Sequence, residues 1–401
     1  MPPDNGLYAG THAVVQYTEM TEILVNVLLL QAFTLLVVLS VKGRRNIRNA
    51  LIIFHSINMV KILFLFVWAI HKTGIADLNY LQFPDEHYYL SESHDATGFA
   101  NLYHLLVVAM RAMGFSISNM KMVNILVSSF AIVRLYTLKA VVAKPNQYVV
   151  HLFVFCGILF LHVIYFSVFV LKDVIFFYVT AEFLIQLINR SRGNRWVLIA
   201  LLAIMLVLLR PLMVLVFCVF LFDCNWRLRW TRVLVLTLVC GLLVAHRGAR
   251  YQQRFYRLLS HGFRESAGDM PAGLDRRTKI AYAESVIIRQ PGIYGRHILR
   301  NMIRATVPGA EPDMTVRLSL LLQWGSLLYL LVVKKGISRL WQWWPILSIG
   351  ALYFIGGVMT LYNVRYNVFP LSILLCVSVF AVSRPIAGVA HKNDRVYQYD
   401  E

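Results

Sequence analysis

Apolar residues run along this chain in long unbroken blocks, with neither the alternation of a half-buried strand nor the one-sided stripe of a soluble helix. Eleven blocks stand out, at about 22–41, 50–70, 117–138, 147–167, 174–189, 196–209, 211–222, 233–246, 318–333, 341–361 and 367–383. A hydrocarbon core takes about 20 apolar residues per helix, fewer where a segment is short or re-entrant. The pattern predicts an all-α, polytopic transmembrane helix bundle of about eleven spans. The two blocks divided by Arg210 and Pro211 are each short and would also suit one kinked helix. Polar stretches then set the organisation: N-terminal transmembrane helices over 1–246 with a first outer loop at 72–116, a largely helical extracytoplasmic loop at 247–317, C-terminal helices over 318–383 and a tail at 384–401.

Composition sharpens this picture. Of 401 residues 58% are hydrophobic and only 15% charged, where a soluble domain carries about 25% charged residues. That balance argues against a soluble enzyme. The net charge of +19 would suggest nucleic acid in a soluble protein, but here topology accounts for most of the surplus. Short connections carrying Lys42, Arg44, Arg45 and Arg48, then Lys139 and Lys144, Arg190, Arg192 and Arg195, Arg227, Arg229 and Arg232, Lys334, Lys335 and Arg339, and finally Arg384, Lys392 and Arg395, alternate with connections poor in cations. The basic series holds 18 cations against 6 in the opposite one. Basic connections face the cytoplasm, so the N-terminus is expected outside and the C-terminus inside. The segment Arg247–Arg317 holds 13 cations and 6 acids on the outer side, as loops longer than about 60 residues can. The first 41 residues contain no Lys or Arg, so the run from Ile23 to Val41 is expected to stay as an anchor. Five cysteines lie in or beside apolar runs and imply neither a disulfide framework nor a zinc site.

Charged residues at the predicted outer rim supply the candidate chemistry. The first outer loop reads Phe83-Pro84-Asp85-Glu86-His87-Tyr88-Tyr89, followed by Glu92, His94 and Asp95. Adjacent acids next to an apolar surface suit a proton acceptor, or oxygen ligation of a divalent cation; a solvated turn is the plainer account. His87, His94 and His104 lack distinctive zinc spacing. Lys172 and Asp173 occupy a very short outer connection, where isolated charges need partners. Either they pair with one another, or Lys172 meets phosphate while Asp173 meets a metal or acceptor. Arg210 precedes the helix-breaking Pro211, and Arg365 lies in the turn Tyr362–Asn367; guanidinium groups there can fork onto phosphate oxygens or snorkel to headgroups. Lys61 and Glu182 fall in mid-span, and a mutual structural pair is the expected role. From Arg276 onward the long loop reads as short amphipathic helices able to lie on anionic lipid, with apolar faces over 280–288 and 293–303.

As a set, Asp85-Glu86, Lys172-Asp173, Leu209-Arg210-Pro211 and Arg365-Tyr366 resemble the GT-C superfamily of polytopic glycosyltransferases, nearest to bacterial members of family 39 or of polysaccharide-assembly type. The resemblance implies an integral protein of the bacterial inner (plasma) membrane, a polyprenyl-phosphate sugar as donor, and a glycan or lipid as acceptor, with membrane lipid and no nucleic acid among its partners. It further implies Asp85 as base, Glu86 as metal ligand or orienter, and Asp173 as a second acid. Lys172, Arg210 and Arg365 become contacts for the donor phosphate. A divalent cation, magnesium or manganese, would have Asp85 and Glu86 as candidate ligands. The chain departs from the family in an extra span before the motif-bearing loop and in carrying its soluble part internally. Those departures leave a Wzy-like polysaccharide polymerase or ligase, or a non-enzymatic flippase of lipid-linked saccharide, as alternatives.

Overall fold

The computed structural model describes residues 6–75, 77–81, 86, 90, 102–138, 167–170, 172–188, 196–209, 269–271 and 273–307, with scattered positions over 230–263 and residues 321 and 359. Every described element is an α-helix, and no strand occurs among the described residues. The chain divides into two compact units, Met1–Ile158 with Val163–Glu182, and Leu159–His162 with Phe183–Glu401.

The first unit begins with α1 (Gly6–Ser40) and α2 (Arg44–Thr73). The stretch Met20–Ser40 of α1, and α2 itself, are long and apolar enough to cross a membrane. Only 6% of the apolar window of α1 is buried, and Ile23, Leu24, Leu28, Leu35 and Leu39 stand exposed. A soluble core helix would hide such residues; a row of this size left open suits contact with lipid. Gly43, at φ 88°, reverses the chain between the two helices. Gly74, at φ 75°, ends α2 by donating its N–H to the Ile70 carbonyl, a left-handed cap that glycine adopts without steric cost.

Next come α3 (Leu102–Ala112) and α4 (Ile117–Tyr136). Ser116 opens α4 with a reciprocal cap: its hydroxyl accepts from the Asn119 amide while the Asn119 side chain accepts from the Ser116 N–H. Of the 20 residues of α4, 15 are buried, and the helix packs against both α1 and α2. Its polar side chains are satisfied at these contacts. Ser118 donates to Glu22 Oε2 at 2.9 Å and Asn119 to Asn26 Oδ1 at 2.9 Å, both on α1. From α2, Lys61 Nζ donates to Ser128 Oγ at 2.6 Å and Ser129 Oγ at 3.1 Å, and Asn49 reaches the Tyr136 hydroxyl at 3.3 Å.

The first unit closes with the opening turns of α5 (Lys172–Ile188). Here the expected Lys61–Glu182 pair is corrected: Lys61 is held by the two serines, and Glu182 takes both guanidinium branches of Arg134, with Nη2 donating to Oε2 at 3.1 Å. A planar guanidinium matches a carboxylate better than an ammonium does, and Arg134 lies inside an apolar block whose edge hid it from the charge count.

In the second unit α6 (Trp196–Leu209) fills the predicted block at 196–209. The long polar loop contains α7 (Arg276–Arg289) and α8 (Pro291–Thr306). Asp275 caps α7, and Pro291 starts α8 where its missing N–H costs nothing. The two helices pack together around Leu259, Phe263, Met270, Ala283 and Val286. Beside this core, Arg300 holds the buried Asp269 with two hydrogen bonds, and the buried His297 ring meets Asn301 at 3.0 Å and the edge of Phe263 at 4.9 Å. The predicted blocks at 211–222, 367–383 and nearly all of 147–167, 318–333 and 341–361 lie outside the described residues, and 233–246 is described only at isolated helical positions.

Candidate functional site

Glu86 is fully buried in the connection between α2 and α3. Its Oε1 accepts the Val170 N–H at 2.8 Å, a contact spanning 84 residues of sequence. A carboxylate at such depth needs donors, and this one ties the first predicted outer loop to the buried stretch Ser167–Val170 that leads into α5. Asp173, also fully buried, lies in the first turn of α5, where the helix dipole favours negative charge.

Tyr103 of α3, 1% exposed, is close enough to feel the charge of both acids. Burial first, then the charges of Glu86 and Asp173, push its pKa far above that of an ordinary phenol, against an opposing hydrogen bond from Asn124. The group is therefore a neutral phenol throughout the working range of a protein. Asn124 Nδ2 donates to the Tyr103 hydroxyl at 3.2 Å and to the Phe169 carbonyl at 2.5 Å, so one α4 amide joins α3 to the approach of α5. Three residues earlier on α4, the buried Lys121 donates to the Tyr80 carbonyl and lies 5.7 Å from the centre of the Phe169 ring. Glu86 and Asp77 are the charges that act on it. The edge of Trp68 meets Phe169 at 6.5 Å, and Lys72 sits 5.0 Å over the Trp68 ring.

Of the residues singled out by sequence, Glu86 is thus bonded to the backbone three residues ahead of Asp173, and both acids act electrostatically on Tyr103. Lys172 opens α5 immediately before Asp173, but only its backbone is described; Asp85 directly precedes Glu86 and lies outside the described residues. Arg210, next after the end of α6, and Arg365 also lie outside them, as do His87 and His94. His104 is half-buried in α3, and among the described residues no three His, Cys, Asp or Glu side chains gather as a metal-binding group. Sequence reading assigned no role to Tyr103, Lys121 or Asn124. Lys121, Asn124 and Ser128 recur at helical spacing inside an apolar block, and that polar row was the available signal.

Two carboxylates, an ammonium, a phenol and an amide, packed beside aromatic rings, can orient a hydroxylated ligand and hold a proton away from water. Comparison of the chain with protein-family models, with curated proteins and with solved structures gives no match.

Proposed function

We propose that the chain is an integral-membrane glycosyltransferase that moves a sugar from a polyprenyl-phosphate donor to an acceptor outside the cytoplasm, in the assembly of cell-envelope polysaccharide or glycolipid. The observation that carries this reading is the hydrogen bond by which the buried Glu86, from the first predicted outer loop, takes the Val170 N–H three residues ahead of the buried Asp173 of the next predicted outer connection. The donor's anomeric carbon is already activated by its phosphate. The protein must then deprotonate the acceptor hydroxyl as it attacks that carbon, and stabilise the phosphate that leaves. In this reading Asp85 is the base. Glu86, fixed by the Val170 N–H, sets the position of Asp85 and of the acceptor. Asp173 is the second acid, and Lys172, Arg210 and Arg365 hold the phosphate. Asp85, Glu86 and Asp173 are the oxygen donors a magnesium or manganese ion would take, and such an ion would neutralise the leaving group. The proposed setting is the bacterial inner membrane, with the N-terminus outside and the C-terminus in the cytoplasm.

The test uses purified protein in lipid nanodiscs with labelled undecaprenyl-phosphate hexoses and pentoses, and measures sugar transfer and release of undecaprenyl phosphate. Asp85→Asn keeps the shape but cannot accept a proton, so transfer should fall by about 100-fold or more with donor binding retained. Unchanged transfer by this variant ends the assignment of the base. Translocation of the donor across the bilayer without sugar release would replace the enzyme with a flippase.

A further inference from the structure

The helix α8 is amphipathic, but the two sides of its partner arrangement differ. On α7, Ala283 and Val286 are buried in the core that the two helices share, so most of the apolar face of α7 is spent within the protein, with Ile288 left exposed at its last turn. On α8, one side is likewise held: His297 and Asn301 are buried, and Arg300 is bound to Asp269. The opposite side is open. Leu299 is 51% exposed, and Met302 and Ile303 beside it are exposed as well. At 100° per residue these three fall within an arc of roughly 100°, with Gly292 and Gly295 continuing the same face toward the helix start. The exposed Arg296 lies at its edge, and the exposed Arg289 just precedes the helix.

Two further observations place this face near a bilayer. Tyr294, in the first turns of α8, donates its hydroxyl to the Met359 carbonyl at 3.2 Å. Met359 falls at the end of the predicted span 341–361, the end expected outside. The chain after α8 enters the next predicted span at about residue 318, and Leu321, near its start, is exposed. A helix tied to the end of one span and leading into another, with an open apolar face rimmed by arginine, matches a segment lying in the interface plane.

We propose that α8 is an interfacial helix, whose Leu299, Met302 and Ile303 enter the acyl boundary of the outer leaflet while Arg296 and Arg289 contact anionic phospholipid headgroups. The occupant of this face is the lipid surface itself. This goes beyond the proposed transferase activity and rests only on the membrane reading.

The experiment uses the full chain in nanodiscs of phosphatidylcholine, with or without phosphatidylglycerol. A photoreactive benzoylphenylalanine is placed in turn at Leu299, at Met302, at Leu28 on the exposed face of α1 and at the exposed Glu284 of α7. Lipid adducts are expected at Leu299, Met302 and Leu28 and not at Glu284, with a higher yield at Leu299 when phosphatidylglycerol is present. Arg296→Gln should lower that anionic preference by about fivefold, the factor for one arginine near a charged leaflet. Protein–protein adducts at Leu299 and Met302 in place of lipid adducts would overturn the proposal in favour of a second copy. No adduct at either position, with Leu28 still reacting with lipid, would leave the face in water and also overturn it. Failure at Leu28 as well would count against the membrane reading beneath it, and the proposal falls with that reading.

Discussion

Asp275 shows how much one exposed side chain does here. Its carboxylate accepts from the Thr278 and Arg277 amides at the start of α7, and the Thr278 side chain, followed by the Arg277 amide, holds its pKa below the ordinary value of 3.8. A carboxyl depressed by folding stabilises the folded form fully above its unfolded pKa, and that support is lost as pH falls through the lowered value. Amide exchange at Arg277 and Thr278 should therefore quicken on acidification below the usual carboxylate range. Asp275→Asn, a cap of equal quality, should remove the pH dependence, whereas Asp275→Ala should leave the first turn of α7 frayed at every pH. At this scale the sequence was informative about acids and uninformative about their company. Glu86 and Asp173 are conspicuous because carboxylates are rare beside apolar blocks. Nothing local says that Tyr103 shares the Asn124 amide with the Phe169 carbonyl, because that link depends on how α3, α4 and the approach to α5 meet.

Among elements, α4 and α5 are coupled by the Arg134–Glu182 ion pair, whose side chains are 19% and 10% exposed. Removing one member of a largely buried pair strands the other, at a cost on the order of 3 kcal/mol. Glu182→Gln should lower the thermal unfolding midpoint of the detergent-purified protein clearly. The double variant Arg134→Met with Glu182→Met should recover most of the loss, since two apolar groups of similar volume leave no uncompensated charge. Additive losses in the double variant would show that the pair does not act as a unit. Helix limits were largely legible, because unbroken apolar blocks leave little choice of structure: 117–138 became Ile117–Tyr136, and 196–209 became Trp196–Leu209. The helices at Arg276–Arg289 and Pro291–Thr306 followed from amphipathic spacing. That α7 spends its apolar face on an internal core was not legible, because Leu259, Phe263 and Met270 are separated from it by polar sequence.

For the whole molecule, charge distribution fixes an expectation that helix geometry alone does not. By the charge rule for short connections, Ser93 and Ser266 are expected outside and Ser191 in the cytoplasm. Single cysteines placed there, in a background without the native cysteines, should react with an impermeant maleimide in intact cells at Ser93 and Ser266 and be protected at Ser191. Labelling at Ser191 alone would invert the molecule and expose Asp85 to cytoplasmic nucleotide sugars. The two helices that are long and apolar enough to cross a membrane agree with the block pattern at the N-terminal end. Spacing along the chain carries no information on whether Arg210 and Arg365 adjoin the carboxylates, since nothing in the separation of two residues along a chain of helices dictates which helix ends meet.

The polar lining of α4 bears on how the protein is made. Lys121 and a row of serine and asparagine side chains of α4 are buried, and Arg134 is half-buried against Glu182. Presented to the translocon alone, this segment would carry two ionic groups, each costing up to about 3 kcal/mol at mid-membrane. In the proposed membrane bundle, α1 and α2, synthesised earlier, offer Glu22, Asn26, Asn49 and Lys61 to the serine, asparagine and tyrosine groups of α4, while Arg134 meets its partner Glu182 only when α5 follows. Assembly of the first unit in that reading is sequential, with an N-terminal hairpin receiving the polar row of α4 before α5 pairs its guanidinium.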